Sequence, residues 1–238
     1  MMTTAIPAAT LILLRDCSIG PPEILMVERA AAMAFAGGAL VFPGGRIDPG
    51  DRALALVMGD GDLAPRLAAI RETIEEAGIA IGVDGDVEAM RAMLAGGDPI
   101  AALAPVDPSP LIPFARWRPD HMPSRMFDTW FYVARLPENA PPAQVDATEN
   151  AHALWITAAD ALRAADRGDA MLLFPTRRVL ERLAQHDDVA DVLADAARWP
   201  VRTITPWIEQ RAGGRFVCIP DDLGYPVTAE AADRAVRA

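Results

Sequence analysis

The chain has 238 residues, 52% of them hydrophobic and 23% charged, enough to bury a full core in one large domain with appendages. Its net charge of −11 and pI near 4.7 disfavour a long polyanion such as duplex DNA or RNA as a partner, because such binding rests on many basic side chains meeting phosphates; a small anionic ligand is compatible wherever a divalent cation or a few local arginines reverse the field. All 22 basic residues are arginines, which excludes a P-loop lysine, a Schiff-base lysine and a Ser-Lys dyad.

Thr10 to Asp16 and Ile24 to Glu28 are apolar runs joined by Ser18-Ile19-Gly20-Pro21-Pro22, a pattern of two strands and a turn. Apolar stretches such as Ala8 to Leu14 fall far short of the roughly 20 residues of a membrane span. The N-terminus lacks the basic cluster and cleavage site of a secretory leader, so the expected location is cytoplasmic. Ala39 to Phe42 reads as a short third strand stopped by Pro43-Gly44-Gly45. Residues 52 to 63 read as an insertion, with a helical pattern over Arg52 to Met58 and a turn at Gly59-Asp60-Gly61-Asp62.

Pro65 to Ala77 is predicted as a helix, with Pro65 in its first turn and Gly78 just past its end. Asp86 caps a second helix that runs through Leu94 and ends at Gly96-Gly97-Asp98-Pro99. Leu111 to Trp117, Thr129 to Leu136 and His152 to Ile156 read as strands. Thr157 caps a helix from Ala158 to Ala165, and further helices are predicted over Thr176 to Gln185 and Asp188 to Ala197. The tail from Pro200 to Pro226 is irregular, with Arg215 to Ile219 its one expected strand. The mixture points to an α/β fold with a mixed sheet. Residues 1–199 are expected to form a single domain, and 200–238 an extension packed on it. Cys17 and Cys218 stand far apart, with no second thiol or nearby histidine, so neither a zinc cluster nor a disulfide framework is signalled.

The Pro65 to Ala77 helix carries the chemistry. At 100° per residue, Leu67, Ile70, Ile74 and Ala77 form an apolar stripe, while Glu72, Glu75 and Glu76 cluster on the roughly opposite side. Each like-charge pair on an exposed helix costs roughly 0.2–0.5 kcal/mol, a repulsion that a hard cation such as Mg²⁺ or Mn²⁺ would relieve. Taken alone, the same face also reads as a solvated acidic surface with an Arg71–Glu75 pair.

The flanking residues decide between the two. Phe42-Pro43-Gly44-Gly45-Arg46-Ile47-Asp48-Pro49-Gly50-Asp51, followed by Arg71-Glu72-Thr73-Ile74-Glu75-Glu76-Ala77-Gly78-Ile79, resembles the two halves of the Nudix box, G-x5-E-x7-R-E-U-x-E-E-x-G-U with U a bulky aliphatic residue. The second half carries the pattern's arginine, its three glutamates, its glycine and its closing aliphatic residue. In the first half Asp51 replaces the first glutamate, and 19 residues instead of seven separate it from Arg71, which leaves two readings of Asp51 open: a carboxylate that reaches the metal, or one that caps the following turn. The divided box resembles the branch of Nudix enzymes that includes CoA diphosphatases, as do Met26-Val27-Glu28-Arg29, Phe35, Met126 to Phe131, Glu149 and Trp155. The likeness spans roughly residues 10 to 185.

The resemblance implies a Nudix-like α/β/α sandwich and a divalent-metal-dependent hydrolase that cleaves the diphosphate bond of a nucleoside-diphosphate-linked small molecule, CoA or acyl-CoA being first in line. It implies Glu72, Glu75, Glu76 and Gly45 at a Mg²⁺ or Mn²⁺ site, Gly45 through its carbonyl or by leaving room, and Arg71 as the group that positions Glu75. Glu149 is the implied general base, with Glu76 as the alternative and an exposed loop acid as the plain reading of Glu149. Arg116, Arg118 and Arg125 are candidates for phosphate contact and Trp117 or Trp130 for stacking on a base, although Trp130 and Tyr132 could equally fill a core or an interface. His121, His152 and His186 lack metal-motif spacing. A homodimer is expected by analogy alone. Two other outcomes share the resemblance: a binding or regulatory module without turnover, and an isomerase of a diphosphate-bearing lipid precursor.

Overall fold

The computed structural model of the chain describes residues 5–31, 36–118, 126–145 and 150–235. The N-terminal apolar run forms β1 (Ile6–Arg15), which starts earlier than its hydrophobic pattern suggests because its first residues pair with a neighbouring strand. β1 is buried on both faces: Ala9, Leu11 and Leu13 point into one core, Ile12 and Leu14 into the other. A strand flanked by two apolar layers reads as a near-continuous apolar run, as Leu11 to Leu14 do here.

One edge of β1 pairs in parallel with β6 (Phe127–Arg135), and β5 (Ile112–Trp117) follows antiparallel to β6. The other edge is shared: Leu14 and Arg15 pair with β2 (Glu23–Arg29), while Ala8 to Thr10 pair with β4 (Gly44–Arg46). Antiparallel to β2 run β3 (Leu40–Val41) and β7 (Asn150–Thr157). Pro43-Gly44-Gly45 therefore does not end strand structure as expected. The chain turns at Phe42-Pro43 and returns as β4, held by the Leu11 amide and the Thr10 hydroxyl, which donate to the Pro43 carbonyl at 2.9 and 2.6 Å.

Two helical layers cover the sheet, giving the expected α/β/α arrangement. On one side lie α1 (Pro49–Val57), α2 (Ala64–Ala77) and α3 (Val87–Ala95). On the other lie α4 (Ala158–Arg167), α5 (Phe174–Leu183) and α6 (Val189–Arg198). The helix α2 begins at Ala64-Pro65 and ends where Gly78 adopts φ +64°, a left-handed conformation open to glycine at little cost. The insertion is α1 followed by a 3₁₀ turn over Gly61–Leu63, and Leu54 and Ala55 seat it on the α2 side of the core.

The tail is more regular than its sequence suggests. β8 (Thr203–Ile204) joins the main sheet parallel to β5, and β9 (Trp207–Arg211), β10 (Gly214–Cys218) and β11 (Ala229–Ala231) form a separate antiparallel sheet. The Ala212-Gly213 step between β9 and β10 is a two-residue hairpin loop, which the irregular composition of the tail masks. Ile204, Ile219, Leu223 and Tyr225 enter the core beneath α4 to α6. A short α7 (Ala232–Ala235) follows. Among the described residues no helix is long and apolar enough to cross a membrane, and Cys17 and Cys218 are both free.

Candidate active site

The acidic face of α2 is mostly withdrawn from solvent. Glu76 is 6% exposed, and its Oε2 accepts from the Gly44 amide at 2.9 Å. Gly44 itself backs onto β1: an added Cβ would lie 2.5 Å from the Ala9 carbonyl oxygen and 2.6 Å from the Thr10 Cα, so a side chain there would force the strands apart. At Gly45 an added Cβ would meet the Glu72 carboxylate, 2.3 Å from Oε1. Two successive glycines thus let the acids of α2 approach the β4 backbone. Gly45→Ala is expected to displace Glu72 and to weaken Mn²⁺ binding at least about tenfold with little change in the far-UV spectrum, since the ion's carboxylate donors would no longer be held together; unchanged affinity in a manganese titration would show that Glu72 does not need this approach.

Arg71 is the hub of the site. It is 7% exposed and donates through Nε and Nη2 to the two oxygens of Asp51 at 3.1 and 3.0 Å, through Nη2 to the Arg46 carbonyl at 2.8 Å, and through Nη1 to Glu72 and Glu75 at 2.9 and 2.7 Å. Asp51 is fully buried and also accepts from the Asp48 amide at 2.8 Å, closing the first turn of α1. The replaced acid of the box therefore caps its own helix and grips Arg71 at the same time. The insertion loops out as α1 and its 3₁₀ turn, and the bond from Asp51 to Arg71 spans it.

The electrostatics follow from this crowding. Burial alone would lower the Arg71 pKa, but Asp51, Glu72 and Glu75 outweigh it and hold the guanidinium above its ordinary value. Glu72 is pushed up to about 8, by burial first and by the charges of Glu76 and Glu75, against the opposing pull of Arg71. Glu75 is raised as well, chiefly by burial, with Arg71 opposing. In this arrangement Glu72 and Glu75 turn to Arg71 and Glu76 to Gly44, and among the described residues no three acidic, histidine or cysteine side chains already converge as a ligand set. The donors still fit a hard divalent cation: they are all carboxylate oxygens, on adjacent turns of one helix, and they carry more negative charge than the single arginine between them offsets.

The other expected residues lie elsewhere. The expectation for Trp117 is corrected: it is 1% exposed in the core beneath α4 to α6, edge-on to Phe174 and Tyr225, with its indole N–H donating to the Tyr225 hydroxyl at 3.1 Å, so it offers no face to a base. Arg116 points its fork at Asp128, with Nε and Nη2 at 2.7 and 2.8 Å from the two carboxylate oxygens, and its guanidinium lies over Trp130, 4.9 Å from the ring centroid. The bidentate contact expected with phosphate is thus already made with a carboxylate. Trp130 in turn stacks on Tyr132 at 6.0 Å. Arg118 is exposed. Arg125, Glu149, Phe35 and His121 lie outside the described residues.

Three further features have no counterpart among the sequence expectations. The grip of Asp51 on Arg71 gives no local signal. Asn150, next to Glu149, is fully buried, and among the described residues neither of its amide atoms has a partner, nor does the buried Nε of Arg29, opposite it in the β2–β7 ladder. Such groups call for a water or a bound polar group. The third is Arg91 of α3, which donates through Nη2 to the Glu75 carbonyl at 3.0 Å.

A family profile described as NUDIX domain matches residues 5–174. Among solved structures, a NUDIX hydrolase from Alicyclobacillus acidocaldarius is similar at 27% identity with a TM-score of 0.73, the alignment covering 82% of this chain and 97% of that one. A MutT protein from Methanosarcina mazei Go1 shares the fold at 13% identity and a TM-score of 0.50, over 78% of this chain and 96% of that one. A comparison with curated proteins finds no match. With the box residues assembled around Arg71 and the profile spanning most of its length, the chain belongs to the NUDIX family, as a Nudix-type pyrophosphohydrolase.

Proposed function

We propose that the chain hydrolyses the diphosphate bond of a nucleoside-diphosphate-linked small molecule, with CoA or an acyl-CoA as the first compounds to test, in a reaction that requires Mg²⁺ or Mn²⁺. The observation that carries the reading is the buried Arg71 hub, which gathers Glu72 and Glu75 beside Glu76 on the face of α2 that meets β4. Three acids crowded into one half-buried surface, one of them pushed up to about 8, are a costly arrangement for a site with no cation to hold.

In this reading Glu72, Glu75 and Glu76 hold the ion, and Gly45 leaves room for Glu72. A divalent ion held there would supply the positive charge that polarises phosphoryl oxygens and eases loss of a proton from water near neutral pH. Arg71 sets the direction of Glu72 and Glu75. Glu149, just before β7, takes the proton from the attacking water, with Glu76 as the alternative base. The water oxygen joins one phosphorus while the bridging oxygen leaves with the other, so two phosphomonoesters result.

The test is a screen of CoA, acyl-CoA, ADP-ribose, NADH and dinucleoside polyphosphates with each metal, detecting phosphomonoester release. Release from any of them supports the reading, and preference for CoA over ADP-ribose supports the finer one. Thermal stabilisation by these compounds without product would establish a binding module instead. A rearranged product with its diphosphate intact, formed from a diphosphate-bearing lipid precursor, would establish an isomerase.

A further inference from the structure

Helix α2 carries its acids where they are electrostatically least welcome. Glu72, Glu75 and Glu76 sit in its last two turns, at the negative end of the helix dipole, and its final turn contains no basic residue. The last carbonyls of a helix also lack partners within it. Gly78 supplies one partner, its amide donating to the Ile74 carbonyl at 3.0 Å, and the Gln144 amide supplies another, to the Ala77 carbonyl at 2.9 Å. The Glu75 carbonyl is met by a side chain: Nη2 of Arg91, from the middle of α3, donates to it at 3.0 Å. The same guanidinium lies along the exit of the helix, where an added Cβ on Gly78 would stand 3.3 Å from Nη1 and 3.6 Å from Cδ of Arg91.

We propose that Arg91 is a positioning residue for the metal site: by capping the Glu75 carbonyl and placing a positive charge at the end of α2, it holds the last turn of the helix so that the Glu75 and Glu76 carboxylates stay in register with β4. The proposal rests on the reading that these acids hold a divalent ion. A helix whose final turn frays loses the fixed offset between Glu72 and Glu76, and with it the joint approach of Glu72 to Gly45 and of Glu76 to the Gly44 amide. Arg91 bonds to the backbone of α2, so its effect passes through the backbone and the local field. Nothing in the sequence marks it, because α3 lies outside the box.

The test measures Mn²⁺ binding directly, by the electron paramagnetic resonance of free Mn²⁺, together with amide hydrogen exchange of Ala77 to Ile79 in the metal-free protein. Arg91→Ala is expected to weaken Mn²⁺ binding about fivefold to tenfold and to speed exchange at the end of α2, while Arg91→Lys, which keeps the charge and a donor, restores affinity to within about twofold, in line with the modest strength of a charge at a helix end. Asp86→Ala serves as the control, since Asp86 caps α3 through the Glu88 amide at 3.0 Å and its loss loosens the same helix without touching α2. It should lower the thermal midpoint and leave Mn²⁺ affinity unchanged. Wild-type affinity in Arg91→Ala, or an equal loss in Asp86→Ala, would overturn the positioning role. If the wild type bound no Mn²⁺ while Arg91→Ala still sped exchange, the metal reading would fail and Arg91 would be left as a helix cap only.

Discussion

Replacing Glu76 by glutamine is expected to lower turnover at least about a hundredfold, or about 2.7 kcal/mol of transition-state stabilisation. Glutamine has nearly the shape of glutamate and keeps an oxygen that can accept from the Gly44 amide, as the Glu76 carboxylate does. The fold around this 6% exposed side chain is therefore preserved, and what is lost is a negative charge and an anionic oxygen donor. Turnover should fall together with Mn²⁺ affinity. Glu149→Gln separates the second role: if Glu149 accepts the proton, that variant lowers turnover while binding Mn²⁺ as tightly as the wild type. Near-wild-type rates in Glu76→Gln would remove Glu76 from the site, and weakened Mn²⁺ binding in Glu149→Gln would make Glu149 a ligand instead of a base.

The acidic helix is legible in the sequence because its information is local. Residues spaced by three and four on a helix share a face whatever the rest of the chain does, so Arg71, Glu72, Glu75 and Glu76 group together without reference to any tertiary contact. The same logic places β1, whose apolar run is dictated by burial on both sides. Asp51 is harder: it meets Arg71 across an inserted helix, and no spacing rule reports a contact between residues 20 apart.

Trp117 is illegible for a different reason. Strand alternation separates neighbours onto opposite faces but does not say which face meets the site, and the irregularity between Pro113 and Ala115 in β5 breaks the count along that strand. Trp117 turns to the core under α4 to α6, and Arg116 to the opposite face, beside Trp130. The tail hides its sheet because its strands are short. β9 is exposed at every position, so it lacks the apolar alternation by which a half-buried strand is recognised.

The second large effect is expected at Asp51, and it is one of stability as much as of rate. Asp51→Ala removes both oxygens that Nε and Nη2 of Arg71 meet, along with the acceptor for the Asp48 amide, from a position with no solvent to replace them. Breaking a buried ion pair by deleting one partner costs about 3–5 kcal/mol. Glu72, Glu75 and the Arg46 carbonyl still hold the guanidinium, which argues for the lower end of that range, near ~3 kcal/mol. At about 2–4 °C per kcal/mol for a chain of this size, the thermal midpoint should fall by roughly 6–12 °C. Asp51→Glu tests the same site from the other side. The family pattern has glutamate here, but in this chain the added methylene enters a fully buried position already fitted to Arg71, so it should also destabilise, by about 1–3 kcal/mol. Metal binding should change as well, because without Asp51 the whole charge of Arg71 falls on Glu72 and Glu75, and it competes with the cation for their oxygens. Mn²⁺ affinity should therefore drop in Asp51→Ala even at temperatures where the variant is fully folded, and unchanged affinity there would confine Asp51 to holding α1 in place.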